Sequence, residues 1–83
     1  MSPANLKNKT NKQETKMTRE QLLKEYAKGR RYFSGVDLSG VDLLGTNLRE
    51  VNLSGANLED ADLRKASLDG IVLDGANLEN TKF

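Results

Sequence analysis

The chain has 83 residues, no cysteine, no histidine and a net charge of +1. Disulfides and thiolate or imidazole metal sites are therefore excluded as means of stabilising so small a domain, and packing and backbone pairing must do so instead. The amino-terminal residues contain no apolar stretch suited to a signal peptide or a membrane span, so we expect a cytoplasmic protein that does not bind membranes. No cofactor is predicted.

Residues 1–17 are predicted to form a flexible basic tail. Their lysines, Lys7, Lys9, Lys12 and Lys16, are spaced among Asn, Thr and Gln. The charge is uneven along the chain, +5 over residues 1–30 and −4 over residues 31–83. Because four spaced lysines give only a weak, salt-sensitive attraction to nucleic acid or acidic membrane, neither is expected as a partner.

Residues 18–29 are predicted to form a short helix. Thr18 and Gln21 have the spacing of a capping box, and Gly29 stands where a helix often ends. The helix has one apolar side, which a helix this short must bury against something. We expect it to cover the first turn of the following domain as an amino-terminal cap, using Met17, Leu22, Leu23 and Tyr26.

Residues 30–83 contain an unbroken five-residue repeat. A large apolar residue recurs at every fifth position: Phe33, Leu38, Leu43, Leu48, Leu53, Leu58, Leu63, Leu68, Leu73, Leu78 and Phe83. A small or β-branched residue stands two positions before each of these from Leu38 onward, and most are directly preceded by Asp or Asn. A period of five fits neither a helix nor a long strand, but it suits a short extended segment followed by a turn.

The repeat resembles that of the pentapeptide-repeat family, whose unit is A-(D/N)-L-x-x. Segments 56–60 (ANLED), 61–65 (ADLRK) and 76–80 (ANLEN) carry the resemblance. It implies an all-β solenoid, a right-handed quadrilateral β-helix of about two and a half coils, with the large and small apolar positions inward. It also implies a small cyanobacterial-type member of the family, since such members often have a comparable helix before the repeat.

In such a helix, residues 20 positions apart stack on one another, and this predicts several contacts. Arg49 is expected to pair with Asp69, and Arg30 with Glu50, as exposed ion pairs. Asp42 stacks on Asp62, but two outward carboxylates do not make a metal cage or an acid–base pair, and no metal site is predicted.

A few apolar residues break the polar pattern of the outer surface and are candidates for a contact surface. Tyr32 and Val72 fall in one column with Asn52 between them, and Leu44 is placed on a neighbouring face. The plainer interpretation is scattered surface residues, which are normal. At the carboxyl-terminal end, Leu78 and Phe83 would belong to an exposed last coil, for which a weak two-fold homodimer is the simplest cover.

Three classes of function can be compared with this pattern. Enzymatic function is excluded by the residue composition and the fold. The chain has no His or Cys, the Gly spacing fits no phosphate loop, and a packed solenoid leaves no substrate cavity. The alternative of an acidic DNA mimic that binds a topoisomerase or another DNA-binding protein is suggested by relatives of the fold, but a height of about 10–13 Å spans only a few base pairs. The favoured prediction is a protein-interaction, scaffold or regulatory module that binds a protein of unknown identity through its faces or its carboxyl-terminal end.

Overall fold

The computed structural model describes residues 16–83. The predicted tail therefore lies outside the described residues except for Lys16 and Met17, which contact the stack; Met17 was also predicted as part of the amino-terminal cap. Lys16 forms a parallel bridge with Asp37, and the Met17 N–H donates to the Asp37 carbonyl oxygen at 2.9 Å. Met17 is also buried. Contacts with the stack are thus made by residues before the predicted helix as well, since Met17 packs in the core.

The single helix of the described residues, α1, spans Arg19–Ala27. The capping box is present: the Gln21 N–H donates to Thr18 Oγ1 at 3.1 Å, and the Thr18 N–H donates to Gln21 Oε1 at 2.9 Å. The chain leaves the helix through Lys28 and then Gly29, whose φ is +102°. Positive φ costs glycine little, so the helix ends where the sequence placed its end.

After α1 the extended segments are single-residue bridges, and the described residues contain no longer strand. Seven parallel bridges join residues 20 positions apart. They fall into four columns: column A (Tyr32, Asn52, Val72), column B (Asp37, Asn57, Asn77), column C (Asp42, Asp62, Lys82) and column D (Asn47, Ser67). The chain therefore returns alongside itself after every four repeats.

Each bridge is held by two backbone hydrogen bonds. At Val72, for example, the carbonyl oxygen accepts from the Leu53 N–H at 2.8 Å, and the N–H donates to the Val51 carbonyl oxygen at 2.9 Å. A third bond joins the turns, as when the Gly55 N–H donates to the Asp74 carbonyl oxygen at 2.8 Å. Buried backbone groups are costly when unpaired, and this pattern satisfies them from one level of the stack to the next.

One backbone feature recurs with the repeat: every fifth residue from 35 to 80 has a positive φ. Six of these ten residues are glycines. The other four are Glu50, Asp60, Lys65 and Asn80, with φ between 60° and 67°. An L-residue with a Cβ is strained in this left-handed region, by roughly 1–2 kcal/mol. Turn geometry therefore explains the glycines, and the four exceptions carry strain.

The core is a single cluster along the axis of the stack. The large apolar residues of the first levels are fully buried: Phe33, Leu38, Leu43, Leu48, Leu53, Leu58 and Leu63. Val36, Val51, Ala56 and Ala61 fill the smaller inward positions. Leu68 and Leu73, which were predicted as core, pack against this cluster but are only half-buried.

The helix lies across the amino-terminal end of the stack. Leu22 is fully buried in the same cluster as Phe33, whereas Leu23 and Tyr26 are half-buried. The Tyr26 hydroxyl donates to the Arg49 carbonyl oxygen at 3.1 Å. The Arg31 guanidinium lies 3.5 Å from the centre of the Tyr26 ring. These contacts fix α1 to columns A and D.

The two leucines of α1 give a matched test of this packing. We expect Leu22→Ala to lower the free energy of unfolding by about 2–4 kcal/mol, because it leaves a cavity in the core. Leu23→Ala should cost less, since its side chain is only half-buried. Urea unfolding followed by far-UV circular dichroism measures both, and equal losses would contradict the packing of the helix.

The positive-φ residues allow a second test of the backbone. Lys65→Gly should raise the free energy of unfolding by about 0.5–1 kcal/mol, because relief of strain exceeds the greater entropy of glycine in the unfolded chain. Gly40→Ala should lower it by about 1 kcal/mol or more. A Cβ at Gly40 would meet nothing within 4 Å, so that loss can come only from the backbone. Thermal melts with unchanged midpoints for both variants would exclude a strained turn.

Candidate interaction surface

Most outward-facing Asp and Asn side chains are used by the backbone of the repeat itself. In seven repeats the side-chain Oδ1 accepts a hydrogen bond from the N–H two residues later, at 2.9–3.1 Å. The residues are Asp37, Asp42, Asn47, Asn52, Asn57, Asp62 and Asn77. This is the local Asx hydrogen bond that stabilises turns. These side chains therefore have a structural role in the turns.

Asp42 and Asp62, the stacked carboxylates that could suggest a metal or acid–base site, both accept hydrogen bonds from their own turns. Asp62 also accepts two hydrogen bonds from the Arg64 side chain, at 2.9 and 2.7 Å. The hydrogen bonds from the Arg64 side chain, and then from its N–H, lower the pKa of Asp62 to about 2. Among residues 16–83 no group of three or more acidic side chains is placed to hold a metal ion.

Of the two predicted ion pairs between levels, one is confirmed and one is wrong. Arg49 Nε lies 3.8 Å from Asp69 Oδ2. Arg30 instead lies beside Glu25, at 3.9 Å, and donates from Nε to the Tyr32 carbonyl oxygen at 2.9 Å. The reason is the turn after α1, where the Arg30 N–H bonds to the Glu25 carbonyl oxygen.

Glu50, the predicted partner of Arg30, takes a different position. Its carboxylate lies over Gly70 in the next level, where a Cβ would come within 2.7 Å of Oε2. The glycine therefore leaves room for the acidic side chain above it.

The amino-terminal end carries a contact that the sequence did not reveal. Lys16 Nζ donates to the Ser39 carbonyl oxygen at 2.9 Å and lies 3.8 Å from Asp37 Oδ1. Hydrogen bonds from the Ser39 N–H and hydroxyl, reinforced by Lys16, lower the pKa of Asp37. The signal available in the sequence was Met17, since a residue that packs against the core from before the helix places its neighbour Lys16 against the stack.

Column A holds two of the exposed apolar residues. Tyr32 is 66% exposed and Val72 is 36% exposed. The bridges place both in this column with Asn52 between them. Apolar side chains interrupted by a polar one form no continuous patch, and single surface residues of this kind are ordinary.

Leu44 does not extend this surface. It is 40% exposed and follows the bridge residue Asp42 of column C. It lies in the turn that leads from column C to column D, whereas Tyr32 and Val72 belong to column A. Tyr32, Leu44 and Val72 therefore do not share one surface.

The last level of the stack is different, because its inward residues lose their cover. We define the C-terminal edge by its inward apolar residues, Leu68, Ile71, Leu73, Ala76, Leu78 and Phe83. Within one series of stacked positions, Leu43 and Leu63 are 0% and 1% exposed, whereas Phe83 is 61% exposed. Leu38 and Leu58 are likewise buried, and Leu78 beyond them is half-buried.

The C-terminal edge also presents backbone groups that have no partner among residues 16–83. The N–H groups of Leu68, Leu73 and Leu78 make no hydrogen bond there, although the N–H groups one level earlier donate across the stack. The carbonyl oxygens of Ala66, Ile71 and Ala76 likewise accept none. Apolar side chains and unpaired donors and acceptors thus lie on one surface, the combination that favours pairing with another strand.

The ladder of 20-residue returns defines the molecule as a repeat protein that stacks on itself level by level. A family model for pentapeptide repeats matches residues 32–70 and 56–83, with 8 copies, and the chain belongs to the pentapeptide-repeat family. Proteins of this family are generally non-enzymatic and often bind other proteins. No curated protein matches the sequence. Within residues 16–83 the helix α1 has 9 residues, too few to span a bilayer, and no other helix is present there.

The Asp62–Arg64 pair predicts a pH dependence. Because the folded pKa of Asp62, about 2, lies below its ordinary value near 4, the pair contributes stability above pH 4 that is lost as the pH falls towards 2. Asp62→Asn keeps the oxygen that accepts from the Arg64 N–H but removes the charge. We expect the native chain to be more stable than this variant at neutral pH, with the difference shrinking between pH 4 and pH 2.

Arg64→Gln removes the side-chain part of the pair and should give a smaller loss with the same direction of pH dependence, because the N–H of residue 64 still bonds to Asp62. Urea unfolding at several pH values measures both variants. A difference from the native chain that is constant over this range would contradict the assignment.

Proposed function

We propose that this chain is a non-catalytic protein-interaction module that binds its partner through the C-terminal edge. Its repeats would form a right-handed quadrilateral β-helix of about two and a half coils, capped by α1 at the other end. The observation that carries the proposal is the step in exposure from Leu63, at 1%, to Phe83, at 61%. Burying apolar surface is the main favourable term in association, and this is where the described residues offer it together.

The side faces support binding less well than this edge. The exposed apolar residues outside the edge, Tyr32, Leu44 and Val72, lie apart from one another. Many of the outward polar side chains are already occupied by Asx hydrogen bonds, as at Asn52 and Asp62. A partner on a side face would meet short, locally bonded side chains, which are a poor basis for an energetic hot spot.

A DNA mimic is the less favoured alternative, because the charges of the stack are divided between its faces. The face of column B holds Asp37, Glu59, Asp60 and Glu79 in residues 37–40, 57–60 and 77–80, and no basic residue in those ranges. The face of column C instead combines Asp42 and Asp62 with Arg64, Lys65 and Lys82. Duplex DNA is negative all along both backbones, so a face of mixed charge is a poor imitation of it.

Placing a photoreactive residue at two positions tests the proposal. p-Benzoylphenylalanine at position 83 probes the C-terminal edge, and the same residue at position 32 probes the opposite end of the stack at similar exposure. After irradiation in extract from the native cell, we expect specific protein adducts from position 83 and only background from position 32. Excess unlabelled native chain should suppress the adducts, whereas excess Phe83→Lys chain should not. Equal patterns from the two positions, or no specific adduct, would contradict binding through the edge.

A further inference from the structure

We propose that residues 4–8 of this chain form one more repeat unit, which docks on column C at the amino-terminal edge of the stack. These residues lie outside the described part of the chain, which begins at Lys16. The proposal goes beyond the interaction module, because it concerns a different surface and a segment of the chain itself. Three observations support it: an open stretch of edge at column C, a precedent at column B and the sequence of residues 4–8.

The first level of the stack is covered unevenly. In column A the Tyr32 carbonyl oxygen accepts a hydrogen bond from Arg30 Nε at 2.9 Å. In column D the Arg49 carbonyl oxygen accepts from the Tyr26 hydroxyl at 3.1 Å. Column B is bridged by Lys16. Within the described part of the chain, neither α1 nor the segment before it forms a hydrogen bond with the backbone of column C.

Column C therefore presents an open sheet edge with apolar side chains beside it. The Asp42 N–H, the Asp42 carbonyl oxygen and the Leu44 carbonyl oxygen form no hydrogen bond with any other described residue. Val41 is half-buried, whereas the corresponding inward residues of columns B and D, Val36 and Thr46, are buried. Leu44 is 40% exposed. Unpaired backbone groups next to apolar side chains favour the addition of a further strand.

The segment before α1 shows that such a strand need not keep the 20-residue register. Lys16 pairs with Asp37 at a separation of 21 residues, and the Met17 N–H donates to the Asp37 carbonyl oxygen at 2.9 Å. The regular bond from the Phe33 N–H to the Asn52 carbonyl oxygen has the same pattern and the same length. Met17 is buried, like the large apolar residues of the repeat. The chain before α1 therefore pairs with the stack although it is out of register.

The sequence near the amino terminus contains a complete repeat unit. Residues 4–8 read ANLKN and residues 76–80 read ANLEN, so the two segments share four of five positions. The small, Asx, large apolar and positive-φ positions are filled in order by Ala4, Asn5, Leu6 and Asn8. Asn8 takes the position of Asn80, whose φ is 60°. Asn is one of the few residues with a Cβ that adopt this left-handed region readily, so the segment meets each local requirement of the repeat.

Docking of this unit on column C provides a partner for each open backbone group there. Parallel pairing in the pattern of the other bridges directs the Leu6 N–H to the Asp42 carbonyl oxygen. The Asp42 N–H then donates to the Ala4 carbonyl oxygen. The Asn8 N–H donates to the Leu44 carbonyl oxygen, as the N–H groups of the positive-φ residues do elsewhere in the stack. All three open groups are thus satisfied by one pentapeptide.

The side chains and the connecting length also fit this position. Leu6 adds a level beyond Leu43 in the core, and the aliphatic stem of Lys7 covers Leu44 while its charge stays in water. Residues 9–15 connect the unit to the segment on column B. Seven residues reach up to about 23 Å when extended. That is more than twice the roughly 10 Å at which sheets pack face to face, so the connection can cross the end of the stack.

Introduced cysteines test the position, because the chain has none of its own. Lys7→Cys with Leu44→Cys links positions that would lie on neighbouring strands, about 4.8 Å apart and within disulfide range. Lys7→Cys with Arg49→Cys is the matched control, since Arg49 takes the same place in the repeat of column D and its side chain is 53% exposed. In dilute 83-residue chain with oxidised glutathione, we expect the first pair to close within one molecule at least about tenfold faster than the control.

Equal rates for the two cysteine pairs, or no disulfide in the first pair, would overturn the proposal. Disulfides that join two molecules and increase with concentration would overturn it too, because the edge would then hold residues 4–8 of a second copy.

Amide hydrogen exchange supplies a readout without cysteines. The Asp42 N–H should exchange about tenfold more slowly in the native chain than in Leu6→Asp, which would place a charge against the core. Asn11→Asp adds the same charge outside the unit and should exchange as the native chain does. The Leu43 N–H, bonded to the Asp62 carbonyl oxygen at 2.8 Å, should remain slow in all three chains. An Asp42 N–H that exchanges equally fast in the native chain and in Leu6→Asp would contradict docking on column C.

Discussion

The structure depends on one backbone constraint, the return of the chain to its own edge after 20 residues. Each return requires four turns, and each turn requires a residue with positive φ. The parallel bridges can form only if every turn has this geometry. Stability is therefore distributed along the stack, with each level supported by its neighbours, as in other repeat proteins.

This backbone constraint determines the residue type or the orientation of most side chains, whatever the protein binds. The large apolar residue and the small residue two positions earlier must face inward, and the Asp or Asn between them accepts a hydrogen bond from its own turn. The fifth residue must tolerate a positive φ. The residue directly after each large apolar position is the least constrained, although Ser34, Ser54 and Arg64 there form side-chain hydrogen bonds within the stack. Few outward side chains on the side faces are therefore free to recognise a partner.

The sequence predicted this repeat register well because a period of five imposes the same physical requirement at each turn. The buried residues Phe33 to Leu63, the capping box of Thr18 and the pair of Arg49 with Asp69 all follow from local rules or from the 20-residue stacking. What could not be predicted depends on contacts outside the register. Arg30 pairs within the turn that follows α1, and Lys16 joins column B at a separation of 21 residues, where no repeat rule applies.

The candidate surface shows the same limit. Counting residues identified Tyr32, Leu44, Val72, Leu78 and Phe83 as apolar exceptions, but it could not determine which of them lie together. The four columns separate Leu44 from Tyr32 and Val72, whereas the decline of burial along the stack brings Leu78 and Phe83 into one edge. Exposure of a single residue is a local property, while a binding surface requires several neighbours with the same character.

The two ends of the stack differ in how their apolar residues and backbone groups are covered. Every level exposes the same kinds of backbone group, so both ends of a bare stack would pair with further copies. At the amino-terminal end the chain prevents this with residues outside the repeat, including Leu22, Tyr26 and Lys16, none of which follows the five-residue pattern. At the other end the described residues keep the pattern through Phe83. The two ends of the described stack therefore differ: α1 covers the core at one end, whereas Phe83 is 61% exposed at the other.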